Sequence, residues 1–167
     1  MITNSKTHVV TDLIEKSILV SKVFSAPVEK VWCAYTESNL LVQWWAPKPW
    51  KAETKTMNFS IGGYWLYAMV GPENEKHWGR MDYTAITPYK SIAIKDSFCD
   101  EEGNVNLSLP VSTGTITFTI IDNGILVEFK MFYSSEKEIE TLIEMGFEQG
   151  ITACLEQLEI LFQENKI

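Results

Sequence analysis

Apolar and polar positions divide the chain into a strand, two short helices, a run of strands and a final helix. The segment 17–24 carries apolar residues on both faces of an extended chain, which predicts a buried first strand. Helical spacing of apolar residues predicts one short helix after Pro27 and a second at 38–44. Strand-like runs separated by glycine and proline then predict an antiparallel meander at 51–59, 64–70, 77–86, 91–99, 115–121 and 125–132.

Two local motifs shape the last third of the chain. The segment 122–124 reads Asp-Asn-Gly and predicts a type I′ hairpin between the last two strands, because asparagine and glycine tolerate positive φ. Ser135 and Glu138 stand at the spacing of a helix capping box. No proline follows before about residue 163, so we predict one long C-terminal helix.

Two glycines, Gly146 and Gly150, lie within this predicted helix. A glycine in a helix interior costs up to about 1 kcal/mol relative to alanine. Either a sheet or a ligand approaches the helix backbone closely at these positions, or a stable helix simply tolerates them.

Length and charge restrict the class of protein. The 167 residues indicate one compact domain, which we place at 15–167 after a loosely held leader at 1–14. The net charge of −8 repels phosphate and Arg80 is the single arginine, so we expect no nucleic acid partner. No segment has the pattern of a signal peptide or a membrane span. Three dispersed cysteines outside any CxxC spacing suit free thiols in a reducing compartment, which predicts a cytoplasmic protein.

Residue types typical of catalysis are scarce. His8 and His77 are the two histidines, and the first lies in the predicted leader. The sequence contains no nucleophile-elbow motif and no HExxH or CxxC spacing. These features favour a protein that is not an enzyme, and they predict no catalytic residue, no metal site and no cofactor.

Aromatic residues point to a binding cavity. All six tryptophans lie between Trp32 and Trp78, and a cavity walled by a few elements gathers such rings. On the strand 64–70, alternation gives one face to Trp65, Tyr67 and Met69, which we assign to the inside. The predicted ligand-binding residues are these three, Trp44 and Trp45 before a proline-marked loop, Trp78 and Arg80 on the strand 77–86, and Met145 and Phe147 on the last helix.

Arg80 has two interpretations. Alternation places it on one face of its strand with Trp78 and Asp82, while His77 lies on the other face. Its guanidinium either binds a carboxylate or carbonyl of a ligand or pairs with Asp82 or another acid. We favour the ion pair.

Five short motifs occur in order along the chain: Phe24-Ser25-Ala26-Pro27, Val31-Trp32, Trp44-Trp45-Ala46-Pro47, Gly62-Gly63-Tyr64-Trp65 and Met145-Gly146-Phe147. The set resembles the homologues of the heat-shock protein 90 ATPase activator, within the START-like (SRPBCC, helix-grip) superfamily. The resemblance implies an α+β fold in which a curved antiparallel sheet of about six or seven strands wraps a long C-terminal helix, with two short helices after the first strand. It also implies a cavity that holds hydrophobic or amphipathic small molecules and in some members performs chemistry.

The chain departs from this family at a few points. Lys22 stands where members often carry arginine, and Phe147 stands where they often carry tryptophan, so the physical type is kept at both positions. The eukaryotic activator has an additional N-terminal domain that helps engage the chaperone, and we expect none within these 167 residues.

Three functions follow as hypotheses. The first is non-catalytic binding of a small hydrophobic or amphipathic molecule in the cavity. The second is a co-chaperone-like interaction module, in which the acidic surface and the aromatic loop 45–50 contact a chaperone. The third is an enzyme of the cyclase or hydrolase type that uses the same cavity, with His77 or Arg80 pointing inward as its polar group.

Overall fold

The computed structural model describes residues 5–167. The helices are α1 (Val28–Thr36), α2 (Ser38–Leu41), α3 (Glu136–Glu144) and α4 (Phe147–Gln163). The strands are β1 (His8–Asp12), β2 (Ser17–Phe24), β3 (Lys51–Met57), β4 (Tyr64–Val70), β5 (Lys76–Thr87), β6 (Ser91–Cys99), β7 (Val111–Ile121) and β8 (Gly124–Tyr133).

The strands form one curved antiparallel sheet in the order β1-β2-β8-β7-β6-β5-β4-β3. Period-two burial marks the inner face, as on β8, where Ile125, Val127, Phe129 and Met131 are all buried. The α4 helix contributes Leu155 and other apolar side chains to the same core. The predicted α+β helix-grip fold is confirmed, with eight strands where the sequence predicts six or seven.

The extra strand comes from the segment that the sequence assigns to a loose leader. His8–Asp12 is an ordered edge strand that pairs with β2, with Val10 opposite Leu19. Its side chains are mostly exposed, so hydrophobicity does not reveal it. Backbone hydrogen bonding to the free edge of β2 supplies the order instead. The leader prediction is therefore wrong for 8–12, and residues 1–4 lie outside the described part of the chain.

The β7–β8 hairpin forms where the sequence predicts it, but its turn is not type I′. Neither Asp122 nor Asn123 has a positive φ, whereas Gly124 has a φ of 151°. A Cβ on Gly124 would lie 2.3 Å from the carbonyl oxygen of Phe24. The glycine is required by this close approach to β2 as much as by the turn.

The predicted long C-terminal helix is two helices. Ser135 Oγ accepts a hydrogen bond from the Glu138 backbone N–H at 3.2 Å, so the predicted helix cap is confirmed. The chain then breaks at Gly146, whose φ of 87° ends α3 and starts α4. Gly150 lies inside α4, and nothing lies within 4 Å of the position its Cβ would take. The sheet does not approach the backbone there.

One charged residue lies inside the sheet. The Lys22 side chain on β2 is 1% exposed, and its Nζ lies 2.8 Å from the Glu159 carboxylate of α4. It also donates a hydrogen bond to the Ser5 carbonyl oxygen. This ion pair attaches the final helix to the sheet. Together with the hydrogen bond to Ser5, it compensates the buried positive charge of Lys22.

Aromatic side chains fill part of the inner face completely. Tyr35 of α1 contacts Trp44, Phe118 and Phe129, with ring centroids 4.8, 5.2 and 5.9 Å apart. The Trp44 indole is fully buried and donates to the Ala34 carbonyl oxygen at 3.0 Å. We call this region, defined by Trp32, Tyr35, Trp44, Phe118 and Phe129, the filled half of the inner face.

Candidate functional site

The rest of the inner face is not filled. A cavity of about 330 Å³ lies between the strands β4–β6 and the junction of α3 with α4. We call this region the open half. The volume is at the small end of the range for ligand sites in proteins, roughly 300–1,000 Å³. The sheet contributes Tyr67, Met69, His77, Trp78, Gly79, Asp96, Ser97, Phe98, Ser112 and Tyr133 to its lining, and α3, α4 and the break between them contribute Leu142, Met145, Gly146, Phe147, Gly150, Ile151 and Cys154.

Aromatic stacking forms one wall of the cavity. The Tyr67 ring stacks on Trp65 at 4.0 Å and meets the Trp45 ring edge-on at 6.4 Å. It lies over Gly79, where an added Cβ would come 2.9 Å from the Tyr67 hydroxyl oxygen. The absence of a side chain at Gly79 therefore leaves room for the ring.

The opposite wall is apolar and comes from the two C-terminal helices. Leu142 of α3 is buried, whereas Phe147 and Ile151 of α4 are half-buried. Met145 lies in the break between the helices and is 51% exposed. Because α3 and α4 meet at a left-handed glycine, this wall has an interrupted backbone at the edge of the cavity.

Polar groups gather at the sheet side of the cavity. Asp96 shares the inner face of β6 with Ile94, and it lies opposite Ser112 on β7. Ser112 in turn lies opposite Tyr133 on β8. The cavity therefore has an apolar helix wall and a polar strip made of a carboxyl and two hydroxyls.

Asp96 is half-buried where it borders the cavity. Burial raises the pKa of its carboxyl from 3.8 to about 7, the Ser97 backbone N–H lowers it, and the charge of Asp82 raises it. Among the ion pairs of residues 5–167, none involves Asp96. The cavity holds an acid without a cationic partner.

The tyrosine and cysteine side chains of the cavity stay protonated at neutral pH. Burial raises the pKa of Tyr67 and of Tyr133, and the nearby charge of Asp96 raises both further. Burial also raises the pKa of the Cys154 thiol to about 12, and its Sγ donates to the Trp45 carbonyl oxygen at 3.2 Å. A thiol held in this way is a poor nucleophile.

The structure brings most of the predicted site residues to the cavity. Trp45, Tyr67, Met69, Met145 and Phe147 line it. Their binding of a ligand stays a prediction.

The other predicted site residues do not present their side chains to the cavity. Trp44 and Trp65 are fully buried behind its wall, and the Trp65 indole donates to Thr54 Oγ1 at 2.9 Å. Trp78 borders the cavity, but its indole lies on the outer face of the sheet, near Lys55 and Lys76.

Arg80 is also on the outer face. Its guanidinium makes two hydrogen bonds to the Asp82 carboxylate, at 2.7 and 3.0 Å, and a third to the Gly103 carbonyl oxygen at 2.8 Å. It also lies 4.1 Å from the centroid of the Tyr64 ring. These contacts confirm the ion-pair interpretation, and they remove Arg80 from the cavity. His77 does border the cavity, at its exposed rim, with its ring 5.4 Å from Trp50.

Three further observations concern the described residues. Within 5–167, no group of three or more His, Cys, Asp or Glu side chains is arranged to hold a metal ion. None of the helices there is both long and apolar enough to cross a membrane. In the loop 45–50, Trp45 is 8% exposed and Trp50 is half-buried.

Sequence reasoning did not find Asp96. Ile92 and Ile94 place the inner face of β6 on even-numbered positions, so alternation alone puts Asp96 inside. An acid between apolar residues of a strand is usually assigned to solvent, and the sequence does not reveal that this part of β6 borders a cavity.

Comparison with known proteins gives a family and a set of similar folds. The model of the family "Activator of Hsp90 ATPase homolog 1-like protein" matches residues 25–163. A crystal structure of a protein from Mycobacterium smegmatis is 32% identical, covers 93% of this chain and 95% of its own, and has a TM-score of 0.85. A solution structure of a protein from Arthrobacter aurescens is 29% identical over 94% of this chain and 91% of its own, with a TM-score of 0.88. Among curated proteins, none matches the chain.

A more distant structure extends the likeness in fold alone. The AHSA1 protein from Silicibacter pomeroyi is 16% identical over 89% of this chain and 99% of its own, with a TM-score of 0.69.

Proposed function

The chain belongs to the family of Activator of Hsp90 ATPase homolog 1-like proteins, and we propose that it binds a small amphipathic molecule in the cavity of its open half without transforming it. The observation that carries this proposal is a cavity of about 330 Å³ with an apolar helix wall and a polar strip on the sheet. Such a site buries the apolar body of a ligand, while the few polar groups fix its orientation.

The side chains around the cavity favour binding over chemistry. Nucleophilic catalysis needs an activated nucleophile next to a base. The raised pKa of Cys154 works against its activation, and its proton is already donated to the Trp45 carbonyl oxygen. His77 lies at the rim and stacks near Trp50 rather than beside a nucleophile. Arg80 is engaged by Asp82 on the other face of the sheet.

The position of the cavity gives a ligand a route of entry at the break between α3 and α4. Met145 and Gly146 separate α3 from α4 at the cavity edge, and Met145 is about half exposed. Methionine is flexible and adapts to irregular apolar shapes. A ligand can therefore enter beside this break with rearrangement of a few side chains.

Thermal-shift screening tests the proposal. A library of amphipathic fragments that carry neutral, anionic or cationic polar groups is added to the intact protein, and the melting temperature is recorded. A ligand that binds the native state alone must raise that temperature as its concentration rises. Because Trp45 and Tyr67 line the cavity, a true hit also changes tryptophan fluorescence.

A pair of leucine variants on α4 locates the binding. Gly150 borders the cavity with free space at its Cβ position, so Gly150→Leu inserts bulk into the site and also favours the helix. Glu156→Leu adds the same side chain at an exposed position of the same helix. We expect the first variant to lose the thermal shift and the second to keep it. Equal shifts in both variants, or a screen without a hit, would refute the proposal.

A further inference from the structure

We propose that the ligand of this cavity is an organic amine, with its ammonium group at Asp96 and an apolar body against the α3–α4 wall. The inference rests on the proposed function and names the chemical class of its ligand. It is carried by the position of Asp96 on the inner face of β6, opposite Ser112, at the edge of a cavity that would otherwise be mostly apolar.

The carboxylate of Asp96 has no cationic partner in the described part of the chain. The buried ammonium of Lys22 is paired with Glu159 at 2.8 Å, and the guanidinium of Arg80 is paired with Asp82 at 2.7 Å. No lysine or arginine is among the residues that line the cavity. A buried charge without a partner is costly, so a ligand that brings the missing positive charge gains a strong interaction there.

The pKa of Asp96 agrees with this arrangement. Its rise to about 7 has burial as its main cause, and no nearby cation opposes it. An ammonium ion within hydrogen-bond distance would favour the ionised carboxyl and lower this pKa again.

The walls of the cavity suit a cation with an apolar body. The Tyr67 and Trp45 rings line it from one side and Phe147 from the other, and aromatic faces attract ammonium groups. Ser112 and Tyr133 add hydroxyl oxygens close to Asp96 that can accept further N–H donors. Leu142 and Ile151 leave an apolar surface for the remainder of the ligand.

Charge excludes the opposite class of ligand. A fatty acid or another carboxylate would place its negative group near Asp96, and no lysine or arginine lines the cavity to offset the repulsion. The net charge of −8 acts in the same direction, because it attracts cations to the protein and repels anions. A neutral alcohol can form a hydrogen bond with the protonated form of Asp96, but this bond is weaker than the charge-assisted bond that an ammonium group forms with the carboxylate.

Three probes that differ in one group distinguish these cases. Phenylbutylamine, phenylbutanol and phenylbutyrate share an apolar body and carry a cationic, a neutral and an anionic end. Binding of each to the intact protein is measured by calorimetry near neutral pH. We expect the amine to bind about tenfold or more tightly than the alcohol, as a charge-assisted hydrogen bond implies, and the acid to bind least.

Two variants assign the preference to one carboxyl. Asp96→Asn keeps the shape of the side chain and removes its charge, so the ratio of amine to alcohol affinity should fall close to one. Glu53→Gln removes a charge from an exposed residue outside the cavity and should leave the ratio unchanged. Circular dichroism and a thermal melt confirm that each variant is folded.

The outcomes separate this inference from the proposed function. Equal affinity for amine and alcohol, or an amine preference that persists in Asp96→Asn, overturns the amine inference while ligand binding stands. Failure of the amine to bind the parent protein also overturns it. The wider screen then decides separately whether the cavity binds any small molecule.

Discussion

The filled and open halves of the inner face contain similar aromatic residues in different roles. In the filled half the rings pack against each other, and in the open half they line a cavity. In the filled half, Tyr35 of α1 is 4% exposed and its ring contacts those of Trp44 and Phe118. In the open half, the Tyr67 ring rests over a glycine and faces a cavity of about 330 Å³. Aromatic content therefore does not distinguish a core from a site. What differs is the covering element: α1 and α2 close the first half, whereas an interrupted pair of helices covers the second.

The tryptophans show what this difference means for stability. Trp44 is fully buried, and its indole donates to the Ala34 carbonyl oxygen at 3.0 Å. Trp50 is half-buried, and its ring lies 5.4 Å from that of His77 at the cavity rim. We therefore expect Trp44 to contribute more to stability than Trp50.

The largest expected effect is from Trp44→Ala. Removal of a buried aromatic ring costs about 3–5 kcal/mol in the free energy of unfolding, and the lost indole hydrogen bond acts in the same direction. Urea unfolding of the variant measures this loss. Trp50→Ala is the matched control and should lose less than half as much, since a half-buried ring leaves a smaller cavity. Equal losses in the two variants would mean that the halves do not differ in this way.

Asp96→Asn is expected to stabilise the unliganded protein, with the larger gain at high pH. The native carboxyl has its pKa raised from 3.8 to about 7, so the native state binds more protons than the unfolded state between these values. Stability of the parent protein therefore falls as pH rises through this window, and asparagine avoids the loss. Each pKa unit is worth about 1.4 kcal/mol.

The size of the gain depends on how much solvent reaches the cavity. If Asp96 were completely buried, a pKa shift of this size would correspond to a gain of about 4 kcal/mol in the free energy of unfolding. Solvent that enters the cavity reduces this gain, so we expect about 2 kcal/mol at pH 8. At about pH 4 the variant and its parent should have nearly equal stability. Unfolding curves of both proteins at the two pH values measure the difference. A gain that does not depend on pH would show that titration of Asp96 is not its cause.

Local patterns in the sequence predict part of this organisation. Alternation is a local property, so it correctly predicts the inner face for Tyr67 and Met69 and a shared face for Arg80 and Asp82. The same rule could not decide whether Trp65 faces the cavity or the core, because that depends on which element covers it. The sequence does not predict β1, because the order of this strand comes from backbone pairing, which leaves no hydrophobic pattern.

The smallest predicted effects are the stability changes on replacing each of the two glycines at the cavity edge by alanine. Gly146 has a φ of 87°, a conformation that costs a residue with a Cβ about 1 kcal/mol or more, so Gly146→Ala should destabilise the protein by that amount. Gly150 is helical and has free space around its Cβ position, so Gly150→Ala should stabilise it by about 0.5–1 kcal/mol.

Gly146→Asn is the control for the backbone argument, because asparagine tolerates the left-handed conformation better than alanine does and should lose less stability. Chemical unfolding of Gly146→Ala, Gly146→Asn and Gly150→Ala gives the order of their stabilities directly. If alanine is tolerated equally at 146 and 150, the break between α3 and α4 does not need a left-handed residue. The sequence would then favour a continuous C-terminal helix over the cavity. The cover of the open half would in that case be no weaker than that of the filled half, and the contrast between them would rest on Asp96 and its cavity alone.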